Sequence, residues 1–91
     1  MNERMLEVSF LDGRMFAAYL HLGRTHGQKS VKTVQVDNGL MVIDYNAEGA
    51  PLGIEILAPW AVTRERLNAL LSQLGQLPLS DQESRSLLHA A

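Results

Sequence analysis

The chain has 91 residues, 46% of them hydrophobic and 20% charged, with a net charge of −2 and no cysteine. A chain of this size buries roughly 60–65% of its unfolded surface around one core, so one small domain is expected and a second is not. The near-balanced charge supplies no general field for nucleic acid or an anionic membrane, and the missing cysteine excludes a disulfide framework, a thiolate nucleophile and a zinc ribbon.

The opening MNERMLEVSF carries Glu3 and Glu7 and lacks the apolar run of about 7–15 residues that a signal peptide needs. No segment approaches the roughly 20 apolar residues required to span a bilayer, so a soluble, cytoplasmic protein is expected. Turn chemistry then punctuates the first sixty residues or so at short intervals, as in a β-meander. Asp12-Gly13 and Asn38-Gly39 suit two-residue hairpin turns, whose central positions require positive φ. Strands are expected at about 5–11, 14–22, 31–36, 40–45 and 52–57.

Residues paired across antiparallel strands share a face, so the registers constrain one another. A two-residue Asn38-Gly39 loop sets Val36 opposite Met41 and Val34 opposite Ile43. Pairing Tyr45 with Ala50 then sets Ile43 against Leu52 and Met41 against Ile54, which continues one aliphatic face over three strands. The other face is mixed: Leu40, Val42 and Leu57 share it with Asp44, Gly53 and Glu55. In the first hairpin the same reasoning groups Leu6, Val8, Phe10, Met15, Ala17 and Tyr19 on one side. It leaves Phe16, Ala18, Leu20 and Leu22 with Met5 and Glu7 on the other.

Beyond Pro59 the apolar period changes from 2 to 3.6. Leu67, Leu70, Leu71 and Leu74 form a helical stripe, Thr63 is a suitable N-cap and Gly75 a suitable stop. Ser80 and Glu83 have capping-box spacing ahead of Leu87 and Leu88, giving a second helix over about 81–90. The expected architecture is α+β: an antiparallel meander of about five strands over about 5–57, one face covered by a helical tail over about 62–90.

The stretch VDNGLMVIDYNAEGAPLGIEILAPW resembles the signature of domain-of-unknown-function family 2283 (DUF2283), a group of small prokaryotic proteins. Asp44, Tyr45, Gly49, Gly53, Ile54, Glu55, Ile56 and Leu57 carry the resemblance, with a weaker echo in Leu11-Asp12 and Tyr19-Leu20. It covers about residues 6 to 60. The first half departs from the pattern: the acid-rich turn is shortened to Asp12-Gly13-Arg14, and Leu11 replaces the first aromatic. The resemblance implies a small β-rich domain with no established activity. Some members look like neighbours of small toxin genes, which implies an antitoxin-like role.

Specific chemistries find little support. GRTHGQKS at 23–30 imitates a phosphate-binding loop, but Gln28 replaces the glycine before Lys29-Ser30, and the following VKTVQV alternates like a strand instead of opening a helix. His21 and His26 are two imidazoles where a metal centre needs three or four ligands, and His89 stands in the tail, so no metal or cofactor is expected. Arg14, Arg24, His26, Lys29 and Lys32 make a weak basic patch without interleaved aromatics, and the second helix opens on acids, so nucleic acid is not an expected partner. No G-x-S-x-G turn presents a serine nucleophile.

The acids of DYNAEGAPLGIEIL are the remaining candidates. In the register above, Asp44 and Glu55 stand four residues apart along a strand, about 13 Å, beyond the roughly 5–9.5 Å of a paired-carboxylate centre. Glu48 falls in a turn before Gly49. The sequence therefore points to a non-catalytic interaction or structural module, antitoxin-like in the manner of the family it resembles, and assembled as a homodimer. Phe16, Leu20, Leu40, Val42 and Leu57 are the candidate interface. The alternative is a small-ligand or catalytic protein with a cleft between sheet and helix, or between subunits, in which Asp44, Glu55, Tyr45 and His21 supply polar contacts.

Overall fold

The computed structural model describes residues 4–23 and 28–88. Arg24, His26 and His89, together with the end of the expected second helix, lie outside the described residues. Five antiparallel strands, β1 (Met5–Leu11), β2 (Arg14–His21), β3 (Lys32–Val36), β4 (Met41–Tyr45) and β5 (Pro51–Ile56), form one sheet. A 3₁₀ turn (Pro59–Ala61) leads into α1 (Arg64–Gln73) and α2 (Asp81–Leu88), so the architecture is α+β as expected.

The sheet order is β1-β2-β5-β4-β3. Strands β3, β4 and β5 run as a meander, and β5 then closes against β2 to become the central strand. Just past β2 the Leu22 amide donates to Leu52 O of β5, and just before β3 the Val31 amide donates to Tyr45 O of β4. Burial follows from that position: Leu52, Gly53, Ile54 and Ile56 of β5 are all buried.

The turns form where the sequence predicts them. Asp12 and Gly13 both take positive φ and pair Leu11 with Arg14. Asn38 and Gly39 do the same, and the expected pairs Val36–Met41 and Val34–Ile43 are present. In the β4–β5 turn, Asn46 Oδ1 accepts from the amides of Glu48 and Ala50, and Gly49 adopts φ 83°.

Two irregularities correct the remaining registers. Between Ser9 and Phe10 the β1–β2 pairing shifts: Phe10 pairs with Met15 but Ser9 pairs with Ala17, which leaves Phe16 as an extra residue in β2. A bulge of this kind reverses which side each later residue faces. Ala18 and Leu20 therefore join Leu6 and Val8 on the core side, while Tyr19 joins Glu7 on the opposite side. Leu20, expected at the interface, is instead fully buried in the core. The second shift falls between Asp44 and Tyr45, where Tyr45 pairs with Pro51 and Asp44 with Gly53. Ile43 then meets Ile54 and Met41 meets Ile56, two residues along from the expected partners. A slip of two preserves the face, so the aliphatic side stays aliphatic while its neighbours change.

Both helices lie on that aliphatic side. Leu67, Leu70 and Leu71 of α1 and Leu87 of α2 share one cluster with Leu20, Met41, Ile43, Ile54 and Ile56. Thr63 Oγ1 accepts from the Arg66 amide at 3.2 Å and caps α1. At its other end Gly75 takes φ 72°, and the Gln76 amide donates to Leu71 O at 2.8 Å, closing the helix with a left-handed residue. The capping box of α2 is complete: the Glu83 amide donates to Ser80 Oγ and the Ser80 amide to Glu83 Oε1. Arg4 fastens β1 to this helix start, its guanidinium 2.7 Å from Glu83 Oε1 and 3.0 Å from Pro78 O. Arg66 pairs with Asp37 at 3.0 Å and ties α1 to the β3–β4 turn.

Candidate functional site on the uncovered sheet face

With both helices on one side, no second layer covers the opposite face of the sheet among the described residues. Its centre is polar. The Tyr19 hydroxyl on β2 donates to Asp44 Oδ2 on β4 at 2.8 Å, crossing the whole width of β5. Gly53 makes the crossing possible: a side-chain carbon there would overlap the Tyr19 ring. A glycine inside a strand leaves space for a close approach, and the group that fills it here is a tyrosine of the same chain.

Three further groups surround the phenol. Glu55 is the direct cross-strand partner of Tyr19, and it stands diagonally from Asp44 because Asp44 is opposite Gly53. Diagonal neighbours lie about 7–8 Å apart at the backbone, so the 13 Å separation inferred from the sequence register is replaced by proximity within one chain. His21 tilts against Tyr19 with ring centroids 4.6 Å apart, and its Nε2 meets Glu7 Oε1 from β1. Burial pushes the Tyr19 phenol above its ordinary value; the hydrogen bond to Asp44 and the negative charges of Asp44 and Glu55 push the same way. The hydroxyl is thus held protonated, a donor fixed on its acceptor.

Of the residues singled out from sequence, Asp44, Glu55 and His21 meet on this face. Tyr45 does not: it lies on the helix-covered side, half-buried against the core cluster. Leu40 also packs against that cluster, while Phe16 and Leu57 are exposed and Val42 is half-buried beside Glu55. Tyr19, the organiser of the site, is absent from the sequence-derived set because the unrecognised bulge assigned it to the opposite face. Gly53 inside a strand was the available signal, since it marks a close approach without naming what approaches.

The arrangement offers little catalytic chemistry. Asp44 is engaged by Tyr19, and Glu7 by His21. Clefts of about 620 and 430 Å³ lie elsewhere, the first between β1 and α2 beside Arg4 and Glu83, the second at the β3 edge beside Val31 and Tyr45. Among the described residues no group of three or more His, Cys, Asp or Glu could hold a metal ion, and no helix is long and apolar enough to cross a membrane. No family model, curated protein or solved structure matches the chain.

Proposed function

We propose that this protein is a non-catalytic interaction module whose working surface is the uncovered face of its sheet, an antitoxin-like regulator of a small protein partner. The observation that carries the reading is the one-sided layering. Both helices cover one face, while the other presents Glu7, Tyr19, His21, Asp44 and Glu55 beside exposed Phe16 and Leu57. A broad surface of mixed apolar and acidic groups suits a protein partner carrying basic and apolar side chains. The resemblance of residues 44–57 to DUF2283 accords with a small regulatory module and adds no activity of its own.

Ligand binding or catalysis has less support, because Asp44 is engaged by Tyr19 and Glu7 by His21, and the groups lie on an open sheet instead of in a cleft. Co-expression with the product of a neighbouring gene, followed by purification through a tag on this chain, tests the proposal. Retention of that product in a fixed ratio supports the module. A thermal-shift screen in which a metabolite or metal raises the midpoint, with no protein retained, would favour the ligand reading.

A further inference from the structure

Three large apolar side chains of the uncovered face stand exposed at one end of the sheet, where the β1–β2 hairpin and the end of β5 lie together: Leu11 is 64% exposed, Phe16 47% and Leu57 43%. Side chains of about 150–250 Å² left open to this degree amount to on the order of 300 Å² of apolar surface. Two such patches in contact would supply about 600 Å² of apolar burial. Because interfaces are about 60% apolar overall, this corresponds to roughly 1,000 Å² in total, the lower bound of a specific interface.

We infer that this end of the uncovered face joins two copies of the chain about a two-fold axis that runs across the strands at the level of Ala17 and Leu57. The charges select that geometry. Ala18 pairs with Ile56 across β2 and β5, so Ala17 and Leu57 occupy the next rung outward. Glu55 lies two residues inward from Leu57 on β5. Arg14 lies two rungs outward from Ala17, through the Phe10–Met15 and Leu11–Arg14 pairs. At about 3.3 Å per residue both stand some 7 Å from the axis, on opposite sides and on neighbouring strands. The two-fold therefore brings Arg14 of each copy over Glu55 of the other, forming two equivalent ion pairs at the margin of the apolar patch. Within the chain, neither side chain has a hydrogen-bond or ion-pair partner among the described residues. The same axis carries Asp44 and Glu7 of the two copies away from one another, so the polar end of each face stays open.

This arrangement rests on the uncovered face being an interaction surface, and its test is separable from the search for a partner. A monomer that retains a partner overturns only the dimer, and a dimer that retains none overturns only the proposed module. Sedimentation equilibrium of the full chain between about 1 and 100 µM is expected to show a dimer. Leu57→Asp should weaken association about tenfold or more, with far-UV circular dichroism unchanged, because the position is exposed. Arg14→Glu and Glu55→Arg should each weaken it, and the double reversal should restore it to within about threefold of the wild type. A wild-type monomer throughout the range overturns the inference, as does a Leu57→Asp dimer of unchanged affinity. Should Leu57→Asp fail to fold, the charge reversals decide: a double variant no tighter than either single variant contradicts the axis.

Discussion

Tyr19 reaches Asp44 over the backbone of Gly53, a 2.8 Å hydrogen bond between side chains of strands that are not neighbours. The bond links β2 to β4 across β5 and holds the aromatic ring close over Gly53, which gives the uncovered face an ordered centre. The same phenol contributes to the loss of stability at alkaline pH. The Tyr19 phenol ionises later in the folded chain than in the unfolded one, chiefly because it is buried. The resulting stabilisation is complete below the unfolded tyrosine value of about 10 and is lost as pH rises past it toward the higher folded value. Thermal unfolding measured from neutral to strongly alkaline pH should therefore show a fall beginning near pH 10, and Tyr19→Phe should flatten it.

Gly53→Ala places a side-chain carbon where the Tyr19 ring lies, and the ring must swing out and release Asp44. The expected cost is about 1–3 kcal/mol in urea unfolding. In a Tyr19→Ala background the same substitution should cost much less, because nothing remains to be displaced. Equal costs in the two backgrounds would place the strain elsewhere.

Arg4 and Glu83 tie the first strand to the start of α2. Their side chains are 9% and 18% exposed, and Arg4 also donates to the carbonyl oxygens of Leu77 and Pro78, which precede the helix. Arg4→Ala leaves Glu83 and those carbonyls short of a donor, with an expected loss of about 2–3 kcal/mol. Hydrogen exchange should report the loss as faster exchange in α2 and β1 than in β3 and β4.

Leu20 and Phe16 separate the two registers of the first hairpin. With Phe16 as the extra residue, Leu20 is a core side chain and Phe16 an exposed one. Leu20→Ala should cost about 2–5 kcal/mol, and Phe16→Ala, measured in dilute solution where chains are separate, less than about 1 kcal/mol. The reverse order would restore the register without a bulge.

These two residues also show where the sequence was readable and where it was not. Asn38-Gly39 fixes its hairpin because the turn type and the alternation of Val34, Val36, Met41 and Ile43 require the same register. Thr63, Gly75 and the Ser80/Glu83 box mark helix ends because each supplies a specific hydrogen bond or dihedral angle. Phe16 and Ala17 are both apolar, so alternation in β2 does not reveal which of them is the additional residue. Plain alternation therefore puts Ala17, Ala18, Tyr19 and Leu20 on the wrong face. In β5 the slip of two left the aliphatic side correct and moved Asp44 from Pro51 to Gly53. The candidate acids were therefore legible as residues and not as neighbours: proximity depended on a shift that hydrophobic pattern does not record.

The uncovered face as the working surface is tested most directly by capture from the native host, using the tagged wild-type chain beside a folded Glu7→Lys variant. Glu7 lies exposed on that face, outside the core and away from the apolar end. A specific protein retained in fixed ratio by the wild type and lost from the variant is the expected result. No specific protein with the wild type, or the same protein held equally by both chains, would contradict it.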